Sequence, residues 1–416
     1  MNFFTRYKKI FIIILFLAVI AAAGYLIWKT FFKSAVLSPT ASTPPQTING
    51  LPVAGLGTND VTNGNGSGNL PGGNSGAPSG NQFSTNDKNE IALGGVTKTN
   101  AITSSPALSP TLSKSGGVQY YNKSDGKFYA LDNNGKAVLM SDKVFYNVDK
   151  VVWAPAKDRA VLEYPDGNKI LYNFTKKEQV SLPSHWTDFS FSPDSNQLVS
   201  KSIGTDPENR WLMVSNDDGS QAKNLEMIGV NDKTVYPAWS PNNQIVATYT
   251  KGVDFNRQEI YFVGLNGENF KSTMIEGRGL QSQWSTRGDK LLYSVYNSND
   301  NYLPRLWIVN AEGDTINTNR VDLSLATWSS KCSFASNSVV YCAVPENLPS
   351  GSGLYPELAD KTKDNLYKID LISGVKSLIA IPDGAYNVSQ IMVPENQDSL
   401  YFTDKKTDRI YSVKLK

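Results

Sequence analysis

The chain after residue 95 consists of short runs in which every second residue is apolar, separated by clusters of Gly, Asn, Asp and Pro. In one representative unit, such runs occupy residues 235–239, 244–250, 258–263 and 268–275, with a turn at 240–243. A period of two bounded by turn-forming residues is typical of β-strands. The unit therefore predicts four strands, which we number from first to fourth along the chain.

An aromatic residue closes the first strand of successive units and is followed by a small residue and a turn. It occurs at Trp153, Phe191, Trp239, Trp284 and Trp328, at intervals of 38 to 48 residues. A period near forty with several short strands per repeat is the signature of a β-propeller with one blade per repeat. The predicted fold is therefore all-β, with the first strand of each blade nearest the axis.

The number of blades follows from the number of units. The units span residues 106–141, 146–182, 186–228, 235–276, 280–322, 326–382 and 386–416. The last unit has room for three strands only. Residues 96–103 can supply its outer strand, which closes the ring and removes the open edges of a linear array. We expect seven blades, with six as the alternative because the first unit is weakly patterned.

Two of the turns carry a motif that resembles a known repeat. Phe191-Ser192-Pro193-Asp194 and Trp239-Ser240-Pro241-Asn242 resemble the Trp-Ser-Pro-Asp repeat of TolB-like, WD40-like β-propellers from bacterial envelope proteins. The resemblance covers about residues 106–416. The proline is absent from Trp284-Ser285-Thr286 and from Trp328-Ser329-Ser330. The resemblance implies a propeller in the cell envelope and does not specify an activity.

The N-terminal region contains a long uncharged segment. Arg6, Lys8 and Lys9 precede residues 10–28, which carry no charge and would span about 28 Å as a helix, close to the thickness of a membrane core. We expect a transmembrane helix, a signal anchor, over 10–28. Basic residues concentrate before it, so residues 1–9 should lie in the cytoplasm. A cleaved signal peptide is the alternative interpretation.

Residues 34–95 differ in composition from the rest of the chain. They are rich in Gly, Asn, Ser, Thr and Pro, and such a segment buries too little apolar surface to offset the entropy of ordering. They predict a disordered linker with an end-to-end distance of about 40 Å. The expected location is the cytoplasmic membrane, crossed once, with the N-terminus inside and a propeller over 96–416 outside the cytoplasm.

The composition narrows the candidate chemistry. Forty basic and thirty-eight acidic residues leave a formal charge of +2, which argues against a nucleic-acid partner. The chain has a single histidine, His185, and the propeller region lacks a Gly-x-Ser-x-Gly motif. We therefore predict no metal site, no cofactor and no catalytic residues. The alternative function is an envelope hydrolase that uses carboxylates near the propeller channel.

The two cysteines, Cys332 and Cys342, lie symmetrically about a turn near residue 337 in the sixth unit. Opposed Cβ atoms of an antiparallel pair are about 4.5–5.5 Å apart, close to the reach of a disulfide. Export from the cytoplasm permits oxidation. The spacing therefore predicts a disulfide, with two buried free thiols as the alternative.

The loops between second and third strands indicate where a partner binds. They are short in the first two units and longer in the next four, at 203–209, 251–257, 296–304 and 345–363. Equivalent connections leave a propeller on one face, so these loops should form a contiguous rim. The candidate binding residues are Asp206, Glu208, Asp254, Phe255, Arg257, Asp300, Tyr302 and Tyr355.

These observations predict a membrane-anchored extracytoplasmic propeller that binds an envelope protein or a glycan through its rim. Loop insertions without a function and a spacer that binds nothing are the alternatives.

Overall fold

We describe the protein from a computed structural model. It describes Tyr25 and residues 88–132 and 135–416. Within these ranges the strands form seven sheets, each of four or five strands. The all-β propeller with seven blades is therefore confirmed, and the alternative of six blades is wrong.

The strands follow the predicted order. Two short strands come first, β1 (Val96–Thr97) and β2 (Asn100–Ala101). The first blade comprises β3 (Ala107–Leu112), β4 (Val118–Asn122), β5 (Lys127–Leu131) and β6 (Ala137–Leu139). The second comprises β7 (Lys150–Trp153), β8 (Arg159–Glu163), β9 (Lys169–Asn173) and β10 (Glu178–Leu182). The third comprises β11 (Trp186–Phe191), β12 (Gln197–Ile203), β13 (Arg210–Asn216) and β14 (Lys223–Met227).

The fourth blade comprises β15 (Val235–Pro237), β16 (Ile245–Gly252), β17 (Arg257–Gly264) and β18 (Thr273–Glu276). The fifth comprises β19 (Arg278–Trp284), β20 (Lys290–Tyr296), β21 (Arg305–Asn310) and β22 (Val321–Asp322). The sixth blade comprises β23 (Cys332–Ser336), β24 (Val339–Pro345), β25 (Asp364–Asp370) and β26 (Lys376–Pro382). The seventh comprises β27 (Val388–Met392), β28 (Ser399–Asp404) and β29 (Ile410–Lys414). Short 3-10 helices lie at Pro207–Asn209, Gly229–Asn231, Ser298–Asp300, Gly313–Thr315, Ser329–Lys331 and Pro356–Ala359.

The apolar core lies between neighbouring blades. Between the first and second blades, for example, the ring of Phe128 lies 5.5 Å from that of Trp153 and 4.9 Å from that of Phe174. Such aromatic pairs contribute about 0.5–1.5 kcal/mol each beyond the area that they bury. The Trp153 indole also donates a hydrogen bond of 2.7 Å to the carbonyl of Ser109 in the preceding blade. The aromatic residue of the repeat thus holds adjacent blades together.

The serine of the repeat stabilises the turn between the first two strands. The buried hydroxyls of Ser192, Ser240 and Ser285 each accept a hydrogen bond from a backbone N–H five residues later, at 2.9 to 3.1 Å. The fourth residue after the aromatic is left-handed in each of these turns, and at Gly288 a Cβ would lie 2.7 Å from the amide nitrogen of Asn242. The turn therefore depends on its serine more than on its proline, which explains why units without the proline still fold.

The N-terminal strands close the ring. Strand β2 pairs antiparallel with β29 and becomes the outer strand of the seventh blade, whereas β1 pairs in parallel with β26 of the sixth blade. Asp383 accepts hydrogen bonds from Thr99 N–H at 3.1 Å and Thr99 Oγ1 at 2.6 Å. Residues 96–103 thus bridge two blades, where the sequence predicted an outer strand for the seventh blade alone.

Residues 88–95 differ from the predicted linker because they lie along the propeller. The N–H of Ala92 donates to the carbonyl of Lys414 at 2.9 Å, and that of Gly94 donates to Ile379 at 2.7 Å. We call residues 88–103 the closing strap. The rest of the predicted linker lies outside the described residues.

The predicted cytoplasmic segment, residues 1–9, and the predicted membrane span, residues 10–28, also lie outside the described residues, apart from Tyr25. No helix among the residues that the structure describes is long and apolar enough to cross a membrane.

Cys332 and Cys342 face each other across β23 and β24, with their Cα atoms 4.1 Å apart, and form a disulfide in the structure. Both side chains are buried. The bond joins the first two strands of the sixth blade next to the central channel.

Candidate functional site

The long loops leave one end of the ring because consecutive strands of a blade are antiparallel. They run over residues 204–209, 253–256, 297–304 and 346–363, between the second and third strands of the third to sixth blades. The turns between first and second strands emerge at the opposite end. The candidate site therefore belongs to one face of the propeller.

Three of the four loops contact each other directly. Asn256 Nδ2 donates to Ser298 Oγ at 2.8 Å, and Ser298 N–H donates back to Asn256 Oδ1 at 3.1 Å. The N–H of Gly353 donates to the carbonyl of Tyr302 at 2.7 Å. These bonds join the loops of the fourth, fifth and sixth blades into one continuous surface.

A groove of about 560 Å³ lies between these loops, and we call it the rim groove. Its lining combines apolar and aromatic side chains with two charged ones. The lining residues are Gly252, Val253, Asp254, Phe255, Arg278, Tyr296, Tyr302 and Leu354. Phe255, at the tip of its loop, is 88% exposed. An exposed phenyl ring at the mouth of a groove is typical of a recognition surface rather than of a fold-stabilising contact.

Two glycines let the groove walls approach the backbone. A Cβ on Gly252 would lie 2.4 Å from Nη1 of Arg278, and a Cβ on Gly279 would lie 2.3 Å from the ring of Tyr296. The Arg278 guanidinium and the Tyr296 ring therefore lie directly against main chain. Side chains held in this way lose little further entropy when a partner binds.

Of the two charged side chains that line the rim groove, Asp254 forms an ion pair, whereas Arg278 bonds to the main chain. Arg257 donates to Asp254 Oδ2 at 2.7 Å and holds the pKa of that carboxyl below its ordinary value. Arg278 Nη1 donates to the backbone carbonyl of Asp254 at 2.8 Å. Among the described residues, Arg278 forms no ion pair.

The structure brings together Asp254, Phe255 and Tyr302 of the predicted binding residues. Tyr355 follows Leu354 at the edge of the rim groove and is exposed, and Arg257 contacts the groove through Asp254. Their role in binding a partner stays a prediction.

The remaining predicted residues lie elsewhere. Asp206 and Glu208 are exposed on a loop that packs near the 3-10 helix Gly229–Asn231, and they do not line the groove. Asp300 lies 3.6 Å from Arg305 in an ion pair within its own blade. The groove is thus built by three loops, where the sequence predicted a rim of four.

Several lining residues were not predicted. Tyr296 ends β20, Arg278 begins β19 of the same blade and Leu354 lies within the longest loop. For Arg278 the sequence carried a signal, since this arginine is flanked by Gly277 and Gly279. Glycines on both sides of a charged residue indicate close backbone packing at that position.

The central channel forms a second cavity, of about 530 Å³. It is lined by Thr111, Leu112, Lys157, Gln283, Ser330, Cys332, Ser333, Ser389, Gln390, Ile391 and Met392. The first strands of four blades contribute to it, which places these strands at the axis. No carboxylate occurs among these lining residues, so the acids that the hydrolase alternative requires do not line this cavity.

The described ranges also contain no group of three or more His, Cys, Asp or Glu side chains placed to hold a metal ion.

Comparisons with known proteins agree with the fold. A solved structure of oligogalacturonate lyase in complex with manganese is 12% identical, with a TM-score of 0.53, and the match covers 76% of this chain and 93% of the lyase. The β-propeller domain of Cps50 (Swd1) from Myceliophteria thermophila is 14% identical, with a TM-score of 0.51 and coverage of 75% and 97%. The hydrazine synthase of Kuenenia stuttgartiensis is 11% identical, with a TM-score of 0.51 and coverage of 80% and 99%.

At these identities the likeness concerns the propeller fold alone. No protein-family model matches the sequence, and no curated protein matches it.

Proposed function

We propose that this protein is a binding module that captures a protein partner in the rim groove. The observation that carries the proposal is the exposed phenyl ring of Phe255 beside a built groove with aromatic and aliphatic walls. Exposed aromatic side chains next to an apolar pocket are the usual anchors of protein interfaces. Aliphatic walls such as Val253 and Leu354 favour a protein partner over a glycan.

The proposed location is the outer side of the cytoplasmic membrane, with residues 10–28 as the anchor and the segment after residue 33, which carries few charges, as a tether. The composition of the first 87 residues supports this placement, as does the resemblance of the repeats to TolB-like propellers of the cell envelope.

Site-directed photocrosslinking in native cells tests the proposal. A photoreactive phenylalanine at position 255 should crosslink one recurrent protein, whereas the same residue at position 146, where Tyr146 is 76% exposed outside the groove, should not. A variant carrying Phe255→Ala, Tyr302→Ala and Leu354→Ala should lose the partner with its melting temperature nearly unchanged. Tyr146→Ala is the matched control. Equal crosslinking at both positions, or full capture by the triple variant, would reject the rim groove as the site.

A further inference from the structure

We infer that the rim groove selects a partner segment in which an acidic side chain lies next to a bulky apolar one, with the carboxylate bound by Arg278. This inference rests on the proposed function, because it names the chemistry of the partner at the same groove. Arg278, the apolar walls and the backbone groups of the loops carry it together.

Arg278 is held in place by one hydrogen bond to the main chain and forms no ion pair with the described residues. Its guanidinium lies against Gly252, and Nη1 donates to the carbonyl of Asp254 at 2.8 Å. Arg257 and Arg305 of the same face each pair with an aspartate, whereas Arg278 pairs with none among the described residues. A guanidinium has five N–H donors in a planar fork that matches a carboxylate. The remaining donors of Arg278 are therefore suited to a bidentate bond with an incoming acid.

The other charged groups near Arg278 leave its guanidinium available to bind a carboxylate of the partner. The carboxylate of Asp254, which also lines the groove, accepts a hydrogen bond from Arg257 at 2.7 Å, so its charge is neutralised within the loop. Glu276 lies opposite Arg257 across β17 and β18. The positive charge without a carboxylate partner in the groove is thus that of Arg278.

The apolar walls specify the second feature of the partner. Phe255 and Val253 are exposed on one loop, and Leu354 is exposed on another, with Tyr296 and Tyr302 between them. An apolar side chain that enters the groove removes these surfaces from water, which is favourable in proportion to the area buried. A segment with both an acid and an apolar anchor would therefore use the whole groove.

The acid should belong to a side chain rather than to the end of a chain. Domains that capture a terminal carboxylate use consecutive free backbone N–H groups. Here several loop N–H groups are already bonded within the protein, since Val253 donates to the carbonyl of Arg257 at 3.0 Å and Gly351 donates to that of Asn301 at 2.9 Å. Gly353 donates to Tyr302 in the same way. An internal Asp or Glu is the carboxylate that this groove fits.

Selection from a phage-displayed library of random peptides on the immobilised full-length protein tests this inference. We expect enriched peptides to carry Asp or Glu at a fixed spacing from Phe, Trp, Leu or Ile. Arg278→Gln should weaken a selected peptide by about 10- to 100-fold, the value of one charge-assisted bond. Selection on Arg278→Glu should replace the acid by Lys or Arg. Arg287→Gln is the matched control, because this exposed arginine lies in a turn at the opposite face.

Two other results separate the inference from the proposed function. The inference would be overturned if peptides that depend on Phe255 carry no acid, or if they bind Arg278→Gln as tightly as the natural chain. The groove would remain the binding site in either case. Peptides that bind equally well after Phe255→Ala, or the absence of any peptide that depends on Phe255, would overturn both. Melting curves of each variant verify that its fold is intact.

Discussion

The pair formed by Lys331 and Asp364 offers a sharp test of how the last two blades are joined. Lys331 Nζ lies 3.0 Å and 2.9 Å from the two carboxylate oxygens of Asp364. Asp364 Oδ2 also accepts a hydrogen bond of 2.6 Å from the N–H of Val388 in the seventh blade. The two side chains are 9% and 0% exposed. This pair therefore links the sixth blade to the seventh inside the protein.

We expect Lys331→Met to destabilise the protein by about 3–5 kcal/mol, the usual cost of leaving one member of a buried ion pair without its partner. Asp364 would keep the N–H of Val388 and lose the only cation bonded to it among the described residues. The double variant Lys331→Met/Asp364→Asn buries no charge and keeps an acceptor for Val388. It should therefore be more stable than Lys331→Met alone.

The pH dependence gives a second signature. Burial raises the pKa of Asp364 even with Lys331 present, and removal of the lysine should raise this pKa further. A carboxyl whose folded pKa exceeds its unfolded value loses stability as pH rises through the folded pKa. Lys331→Met should therefore be least impaired near pH 4 and most impaired at neutral pH.

Guanidinium unfolding at several pH values measures these free energies. A loss below about 1 kcal/mol for Lys331→Met, typical of an exposed pair, would refute the reasoning. So would a double variant that is less stable than Lys331→Met.

Two further predictions concern other links in the ring. Replacing both Cys332 and Cys342 by Ala should lower the free energy of unfolding by about 2–3 kcal/mol in the chain-entropy treatment of a short loop; a smaller loss in guanidinium unfolding would contradict it. Burial opposes ionisation of Asp383, but hydrogen bonds from Thr99 and Lys88 outweigh it and keep the pKa of this carboxyl below its ordinary value. The stability that Asp383 contributes should therefore be present above about pH 4 and lost as pH falls further. Asp383→Asn should remove this part of the acid sensitivity in thermal melts; an unchanged acid profile would contradict the assignment.

The sequence predicts the architecture well because each repeat combines local signals that agree. Strands of period two, turn glycines and the recurring aromatic residue all depend on neighbours within one unit. Gly135 and Gly219 have positive φ as their hairpins require, and Gly313 has positive φ at the start of a 3-10 helix. Trp153 and Trp284 each donate an indole hydrogen bond to the preceding blade. The interval between successive aromatic residues of the repeat therefore corresponds to the length of chain in one blade.

The candidate site is less predictable because its residues meet only after the ring has formed. Arg278 and Leu354 belong to different blades, and no local pattern relates them. Asp206 is a charged residue on a long loop, as expected of a binding residue. Its loop nevertheless packs beside the 3-10 helix Gly229–Asn231 and not beside the loops of the groove. Loop length identifies the face of a propeller, whereas the grouping of loops on that face depends on contacts between individual side chains.

The closing strap has a consequence for the order in which the protein can fold during synthesis. Asn100 leaves the ribosome 312 residues (412 − 100) before its partner in the sheet, Ser412. Strand β2 must therefore wait without its partner until β29 has been made. Ring completion is a late event with a large loop-closure entropy, and until it occurs the outer edge of β29 is available to other chains.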